Sequence, residues 1–380
     1  MFLLSLGDIP HASMRVAGVA IPGVSCTLEG VATAAPAPSK TARVAHLPAL
    51  TGLRFLLALW VILDHLTGPG MMLDGAARAL PYPVYALVRG GYLAVTTFFV
   101  LSGFVLARSY AGRAWNGRSL LHYGVGRVAR VYPVYLLSLL MVAPFILADP
   151  VPQKAPLVAA HGLLIQGWLG HLPVSWNTPA WSLSCEMFFY MLFPLAAVWM
   201  QGAGWRKTLA VAAVTCCLTH AMWSMGISDE IKPLIHMADF LMGIAASCAY
   251  DRLLASPRRP AGAWLYGPGL ALGAALIVYP AVLPAPIDLN SALRPLNAIL
   301  LVGFALGGGA AARLLSTRVA VYLGKSSYAM YILHVPLLWW YCRCTRQFSG
   351  ALYIGAVIAA SVLVYRFVEQ PANKFLRGLI

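Results

Sequence analysis

The sequence predicts an all-α integral membrane protein built as a bundle of about ten transmembrane helices. Of its 380 residues, 60% are hydrophobic and only 10% are charged, which makes it far more apolar than a soluble globular domain. The formal net charge is +15. The Lys and Arg residues lie between apolar runs rather than in one patch, which favours a role in membrane orientation over nucleic-acid binding.

The N-terminal segment 1–45 differs from the rest of the chain. It is rich in small residues and contains the Pro/Ala-rich stretch AAPAPSK, a composition that cannot bury a core. We expect a disordered tail here, followed by one transmembrane domain over 46–380. The seven cysteines lie mostly inside apolar segments without paired ligand spacing, so we interpret them as small hydrophobic residues and expect no metal site.

Ten apolar runs are each long enough to cross the hydrocarbon layer as a helix, which takes about 17 to 25 residues. They lie near 48–68, 91–108, 131–149, 182–201, 208–226, 234–250, 264–283, 296–312, 326–341 and 350–368. An eleventh run, 155–170, is shorter and is flanked by several prolines.

The basic residues decide between ten and eleven spans, because cytoplasmic loops carry an excess of Lys and Arg. With ten spans, most basic residues fall on one side of the membrane, whereas with eleven they divide almost evenly. We therefore predict ten spans with both termini in the cytoplasm. Segment 150–180 is predicted to be an outer-face or re-entrant element buried against protein.

The first predicted span contains the stretch RFLLALWVILDH, which begins with Arg54 and ends with His65. At about 1.5 Å per residue the two lie roughly 16 Å apart, so Arg54 can reach the cytoplasmic interface while His65 lies in the outer half. Ionisable groups at such depth are functional hypotheses by default. Histidine suits proton transfer near neutral pH, but a histidine hydrogen-bonded between helices is an equally good interpretation.

Glu186 lies in TPAWSLSCEMFFY (178–190), one turn inside a span and at a predicted depth close to that of His65. A carboxylate there can accept the imidazole N–H and fix its tautomer. The alternative is a helix start with Ser182 as N-cap and Glu186 just beyond it. His236 and Asp239 are spaced i, i+3 on another span, where a structural pair is favoured over catalysis.

Arg127 and Arg130 are also spaced i, i+3, immediately before a predicted span. Two guanidinium groups one turn apart present forked donors to one anion, the geometry that favours phosphate binding. The alternative is ordinary contact between a basic loop and lipid headgroups.

Together these residues resemble the membrane-bound acyltransferase type 3 family, which includes bacterial O-antigen and exopolysaccharide O-acetyltransferases. The resemblance runs from about Leu50 to Phe375 and rests on seven motifs in the expected order. They are Arg54 with ten residues before His65, FFVLSGFVLA (98–107), Arg127-x-x-Arg130 followed by VYPVY, WSLSCE (181–186), ADFLMG (238–243), GKSSYAMYILHVPL (324–337) and VEQP (368–371).

The resemblance implies an enzyme that moves an acyl group, usually acetyl, from cytoplasmic acyl-CoA to a hydroxyl of a cell-surface or lipid-linked carbohydrate. Acyl-CoA is then a donor substrate, and no permanently bound cofactor is expected. It implies catalytic roles for His65, as general base or acyl carrier, and for Glu186, which would orient it, while Arg54, Arg127 and Arg130 hold the phosphates of CoA. We expect the remaining pocket residues to be Ser102, Trp181, Ser182, Tyr190, Asp239, Tyr328 and His334.

The sequence departs from the family pattern at three places. Met187 stands where a second glutamate is frequent, and His236 stands where an arginine is common. The first departure leaves Glu186 alone as the carboxylate of its motif. No hydrolase-like soluble domain follows Ile380, which implies either a periplasmic partner protein or a lipid-linked acceptor handled directly.

Two other classes stay open at this point. A proton-coupled transporter or flippase would use the same His and Glu for proton coupling and would consume no thioester. A non-catalytic scaffold predicts that replacing His65 has no effect. The favoured interpretation is an O-acyltransferase of the bacterial inner membrane with no nucleic-acid partner, and the sequence predicts no oligomeric state.

Overall fold

A computed structural model of the chain describes residues 47–148, 154–170, 176–225, 231–284 and 287–379. Within these ranges the secondary structure is helical and contains no β-strand, which confirms the predicted all-α class. The predicted tail, 1–45, lies outside the described residues.

Ten helices of at least 15 residues form the framework of the described chain, and each overlaps one of the ten predicted spans. They are α1 (Pro48–Thr67), α2 (Ala94–Ser109), α3 (Gly117–Ala148), α4 (Trp181–Met200), α5 (Trp205–Ser224), α6 (Lys232–Ala255), α7 (Ala263–Val278), α8 (Leu289–Leu306), α9 (Arg318–Cys344) and α10 (Gly350–Val364).

Seven helical segments of the described chain are long and apolar enough to cross a membrane by length and composition. The α7 helix is apolar but has only 16 residues. The α5 helix, with 20 residues, and the α9 helix, with 27 residues, are also not among the seven. The polar residues Ser326, Ser327 and His334 of α9 are buried inside the bundle. The layout of ten helices therefore holds, while ten as a count of membrane crossings is approximate.

Shorter helical elements connect the framework. They are the α-helical pieces Asp74–Arg78, Tyr82–Arg89, Lys154–Gly162, Gly309–Leu315 and Gln370–Arg377, the 3₁₀ turns Gly90–Leu93, Gln166–Trp168, Thr178–Ala180 and Pro280–Val282, and the π-helical turn Tyr365–Glu369. The π-helical turn continues α10 and places Glu369 in the interior of the bundle, where it is 2% exposed.

The described residues between α3 and α4, 154–170 and 176–180, contain no helix long enough to cross a membrane. The helix Lys154–Gly162 has nine residues and is about 13.5 Å long, less than half of a hydrocarbon layer of about 30 Å. His161 is buried there: its Nε2 accepts from the Trp176 backbone N–H (3.2 Å), and its carbonyl accepts from Tyr135 Oη (2.7 Å). The described part of the segment is thus held against α3 through His161.

Two framework helices differ from their predicted spans. The α3 helix begins at Gly117, well before the predicted start at 131, because arginine is a good helix former and the apolar run continues the same helix. Arg127 and Arg130 therefore lie on α3 rather than in a loop. The α8 helix covers Leu289–Leu306 instead of 296–312 and ends where three successive glycines, 307 to 309, adopt φ values of 77°, 89° and 77°, a left-handed conformation that stops a helix.

The α2 and α6 helices pack closely through a reciprocal pair of glycines. Gly103 of α2 faces the carbonyl of Phe240, and Gly243 of α6 faces the carbonyl of Val100. A Cβ at either glycine would overlap the facing carbonyl, so the two backbones are in direct contact. This contact fixes the position of α2, which contributes to both cavities described below.

Candidate active site

The three arginines predicted to bind the donor come together around one cavity. Arg54 of α1 and Arg127 and Arg130 of α3 line a cavity of about 170 Å³, and Glu186 of α4 forms part of the same wall. We call this cavity the arginine chamber. Four of the predicted pocket residues also line it, namely Ser102, Ser182, Tyr190 and Tyr328.

Arg130 is paired within the protein. It forms an ion pair with Glu369 from the π-helical turn, and its guanidinium lies 5.3 Å from the ring centroid of Tyr328. Because Glu369 is buried and follows Arg130 by more than two hundred residues in the chain, the sequence alone gave no sign of this pair.

Arg127 and Arg54 have no such partner. The guanidinium of Arg127 lies 5.5 Å from the ring centroid of Tyr190 and 5.9 Å from that of Tyr110, and its buried Nε has no hydrogen-bond partner. In the described part of the chain, neither arginine forms an ion pair with a carboxylate. Both guanidinium groups are therefore available to a ligand.

The wall of the arginine chamber carries an excess of positive charge. Its lining holds three guanidinium groups and a single carboxylate, that of Glu186. Guanidinium groups bind phosphate and carboxylate through paired, charge-assisted hydrogen bonds, and such bonds are stronger away from bulk water. The chamber is suited to an anionic group.

Glu186 has partners other than the predicted one. Its carboxylate accepts hydrogen bonds from Ser102 Oγ (3.1 Å) and Tyr190 Oη (2.5 Å). The expected hydrogen bond between His65 and Glu186 is not formed, because Glu186 lies in the second turn of α4, facing the arginine chamber, while His65 lines a different cavity.

The alternative interpretation of Ser182 as an N-cap is wrong. The α4 helix begins at Trp181 without a side-chain cap. Ser182 Oγ instead donates to the carbonyl of Pro179 (2.8 Å) and lies 2.9 Å from Tyr331 Oη. Ser182 thus ties the start of α4 to α9.

Residues near the end of α1 and the starts of α2, α4, α6 and α8 line a second cavity, of about 270 Å³. We call it the histidine chamber, because His65 of α1 and His236 of α6 both line it. Trp181, another predicted pocket residue, forms part of its wall. Since Arg54 lies near the start of α1 and His65 near its end, the two chambers lie toward opposite ends of this helix.

The backbone fixes the tautomer of His65. His65 Nδ1 lies 2.9 Å from the carbonyl oxygen of Val61. A carbonyl only accepts hydrogen bonds, so Nδ1 is the donor here, and the neutral ring carries its proton on Nδ1 and a lone pair on Nε2. The side chain is half-buried in the chamber wall, and its Nε2 can act as a proton acceptor or a nucleophile there.

His334 lies behind His65 rather than in a cavity wall. Their ring centroids are 5.0 Å apart, and His334 is 1% exposed and lines neither chamber. Its Nδ1 donates to the carbonyl of Tyr331 (2.6 Å), while its buried Nε2 has no hydrogen-bond partner. His334 thus supports one face of the His65 ring.

Asp239 is fully buried and also lines neither chamber. It accepts a hydrogen bond from His236 Nδ1 (2.8 Å), which confirms the predicted i, i+3 pair, and it forms an ion pair with Arg294 of α8. The ring of His236 packs against Phe99 and Trp181, with centroids 4.9 and 5.3 Å away. Asp239 therefore holds two groups of the histidine chamber from behind.

Sequence reasoning missed four residues that the structure brings to the site. They are Glu369, Arg294, Val95 and Tyr331. Glu369 and Tyr331 lie inside the quoted motifs VEQP and GKSSYAMYILHVPL, which could have drawn attention to them. Arg294 and Val95 carry no local signal, because their significance comes from contacts with distant helices.

Comparison with known proteins gives consistent matches. A family model described as an acyltransferase domain matches residues 47–366. Acyltransferase MdmB of Streptomyces mycarofaciens is 28% identical over 387 aligned residues, covering 88% of this chain and 93% of that protein. O-acetyltransferase OatA of Staphylococcus aureus (strain NCTC 8325 / PS 47) is 20% identical over 389 aligned residues, covering 87% of this chain and 57% of that protein.

A shorter match covers part of the chain. Protein 2 in picA locus of Rhizobium radiobacter is 33% identical over 144 residues, which is 33% of this chain and 74% of that protein. No solved structure gives a significant match.

Proposed function

This chain belongs to the acyltransferase domain family that its motifs resemble, and we propose that it transfers an acyl group, with acetyl as the expected group, from acyl-CoA to a carbohydrate hydroxyl. It is an O-acyltransferase and an integral membrane protein. The observation that carries the proposal is the bare Nε2 of His65 in a cavity wall, next to a second cavity lined by three arginines.

The donor binds first in the arginine chamber in this scheme. Its anionic phosphates are attracted by Arg54 and Arg127, which have no carboxylate partner among the described residues, and by Arg130, which Glu369 holds in place. Guanidinium groups match phosphate geometry, and their excess over carboxylates in this wall favours an anionic ligand. The thioester end of the donor then points toward the histidine chamber.

His65 carries the chemical step. Its Nε2 accepts the proton of the acceptor hydroxyl as the oxygen attacks the thioester carbonyl. The C–S bond breaks, and the CoA thiolate leaves with the proton that His65 had taken. In the alternative order, Nε2 attacks the thioester carbonyl, the C–S bond breaks and CoA leaves as the thiolate. The acceptor hydroxyl then attacks the acyl-imidazolium, the N–C bond breaks, and the hydroxyl proton passes to the CoA thiolate.

The histidine chamber favours a hydroxyl-bearing acceptor. Its lining is rich in polar groups, among them Asp64, Asp288 and Lys232, whose ammonium lies 4.8 Å from the ring centroid of Trp181. Thr96 Oγ1 donates to Asn290 Oδ1 (2.9 Å) in the same wall, and such oriented polar groups can hydrogen-bond to hydroxyls. We propose a carbohydrate, free or lipid-linked, as the acceptor.

We further propose that the protein lies in the bacterial inner membrane with both termini in the cytoplasm. The arginine chamber then opens toward cytoplasmic acyl-CoA, and the histidine chamber faces the outer half of the bilayer. The asymmetric distribution of Lys and Arg between the predicted loops supports this orientation. A periplasmic partner protein or a lipid-linked acceptor would complete delivery of the acyl group.

The test compares cell-envelope glycans by mass spectrometry in the wild type, a deletion strain and strains carrying His65→Ala or His122→Ala. His122 is a matched control because its Nδ1 makes the same hydrogen bond to the carbonyl four residues earlier, 2.9 Å from Arg118 O, outside both chambers. We expect an acyl-sized mass difference to disappear in the deletion and His65→Ala strains and to persist with His122→Ala.

The same variants are then purified and assayed for release of CoA from acetyl-CoA in the presence of envelope glycans. Normal release by the His65→Ala protein would overturn the assignment of His65. Identical glycan spectra in all strains, with no thioester consumption, would favour a transporter instead.

A further inference from the structure

The two chambers meet at a pair of side chains. Among the described residues, Val95 of α2 and Tyr331 of α9 are the two that line both the arginine chamber and the histidine chamber. We propose that Val95 and Tyr331 form a size filter for the acyl group of the donor, restricting the enzyme to short acyl chains. This inference rests on the proposed function.

The location follows from where the charges lie. The phosphates of the donor need the guanidinium groups of the arginine chamber, whereas the reacting carbonyl has to reach His65 in the other chamber. The thin pantetheine arm therefore reaches the boundary at Val95 and Tyr331, which line the same chamber as His65. With the carbonyl at His65, the alkyl end of the acyl group packs against these two side chains, so a longer acyl group has no room there.

Tyr331 is held rigidly on one side of this boundary. Its Oη donates to the carbonyl of Pro179 (3.1 Å) and contacts Ser182 Oγ (2.9 Å). Its ring packs against those of Phe98 and His334, with centroids 6.0 and 6.1 Å away. Only 7% of its surface is exposed, and these contacts hold the side chain in place between the two chambers.

Val95 is equally restrained on the other side. It is 8% exposed, and a β-branched side chain has few χ1 rotamers in a helix. The backbone of α2 cannot move aside, because Gly103 and Gly243 bring it into direct contact with α6. A boundary with fixed walls discriminates by size, whereas a mobile one would adapt to its ligand.

The expected selectivity is large enough to measure. One extra methylene in a well-fitted apolar site changes kcat/KM by about 10- to 200-fold. We therefore expect the wild-type enzyme to prefer acetyl-CoA over propionyl-CoA by about tenfold or more, and butyryl-CoA to be poorer still.

The test measures kcat/KM of the purified protein for acetyl-CoA, propionyl-CoA and butyryl-CoA. Val95→Ala removes two methyl groups from the boundary and is expected to raise the propionyl-to-acetyl ratio by about tenfold. Val105→Ala is the matched control, since it makes the same change on α2 and lines only the arginine chamber. Its ratio is expected to stay within about twofold of the wild type.

Tyr331→Phe is a second variant of the boundary, to be measured in case Val95→Ala folds poorly. Tyr331→Phe retains the ring but removes the contacts to Pro179 and Ser182, so the wall loosens and the ratio is expected to rise, by less than in Val95→Ala. A wild type that consumes acetyl-CoA, with unchanged ratios in both variants, would overturn the filter alone. A wild type that consumes no acyl-CoA would overturn the proposed function itself.

Discussion

The charges of the arginine chamber and of the histidine chamber differ in how they are paired. In the histidine chamber, Arg294 and His236 both contact the carboxylate of Asp239, and Asp64 contacts Arg89 at 2.5 Å. Lys232 is the one lysine or arginine of its lining that forms no ion pair with a carboxylate of the described residues. In the arginine chamber, only Arg130 has a carboxylate partner among the described residues, whereas Arg54 and Arg127 have none.

Whether a charge is paired within the protein distinguishes charges that stabilise the fold from charges that are available to bind a ligand. Removing two ions from water is costly and is compensated only when each is paired and hydrogen-bonded. A guanidinium without a carboxylate in a cavity wall still lacks part of that compensation, and an anionic ligand can supply it. On the proposed function, we therefore expect the anionic donor to bind in the arginine chamber and the acceptor in the histidine chamber.

The largest expected effect is the loss of unfolding free energy when the Asp239 ion pair behind the histidine chamber is broken. Asp239→Asn replaces the carboxylate between Arg294 and His236 by a neutral amide. Because Arg294 is only 1% exposed, water cannot compensate for the lost negative charge. Removing one partner of a buried ion pair typically costs about 3–5 kcal/mol of unfolding free energy. Unfolding in mixed micelles with increasing SDS measures this loss.

Asp251→Asn on the same helix is the control for that measurement. Asp251 also pairs with an arginine, Arg108, but 48% of its side chain is exposed, and exposed pairs contribute about 0.2–1 kcal/mol. Equal losses of unfolding free energy in the two variants would show that the Asp239 pair stabilises the fold no more than a surface ion pair does. The charges behind the histidine chamber would then not be structural.

A smaller effect is expected when an unpaired arginine of the arginine chamber is replaced. It is expected in the affinity for the donor rather than in the free energy of unfolding. Arg127→Ala removes a charge that has no carboxylate partner in the described chain, so the unfolding free energy changes less than in Asp239→Asn. Hydrogen bonds to charged groups contribute about 1.5–3 kcal/mol, so the KM for acyl-CoA, or its Kd, is expected to rise by about 10- to 150-fold.

Arg118→Ala is the matched control for Arg127→Ala. It removes the same charge from the same helix, but Arg118 is exposed and lines neither chamber. An equal rise in KM for the two variants would mean that general positive charge, rather than the chamber, attracts the donor. Unaltered donor binding in Arg127→Ala would remove the main support for the arginine chamber as the donor site.

The sequence predicted the parts of this architecture that depend on local pattern. The ten apolar runs indicated the ten framework helices, because a helix in lipid needs a long apolar surface. The spacing of Arg127 and Arg130 indicated two guanidinium groups on one side of a helix, and the structure places both in one wall. The i, i+3 spacing of His236 and Asp239 likewise predicted their hydrogen bond.

What the sequence could not predict depends on contacts between distant segments. The partner of Arg130 lies on the last π-helical turn, and the partner of Asp239 lies on α8. Glu186 and His65 have similar predicted depths, but depth does not specify which direction a side chain faces around its helix. For this reason the predicted pair was wrong, and the carbonyl of Val61 contacts His65 instead.

The smallest expected effect tests how the arginine chamber keeps its excess charge. Glu186 lines the same wall as Arg54 and Arg127, so its carboxylate would neutralise one of them if it were free to turn. Ser102 and Tyr190 hold it by hydrogen bonds of 3.1 and 2.5 Å. Ser102→Ala removes the weaker restraint, worth about 1 kcal/mol, and is expected to raise the KM for acyl-CoA by about fivefold with little change in kcat.

Ser109→Ala is the control for this prediction, because Ser109 lies on the same helix and lines the same chamber without contacting Glu186. Its KM is expected to equal that of the wild type. If both serine variants behave alike, Glu186 is not held away from the arginines by Ser102. If Ser102→Ala lowers kcat and leaves KM unchanged, Glu186 acts in the chemical step rather than in donor binding. The arginine chamber would then take part in catalysis, and not in donor binding alone.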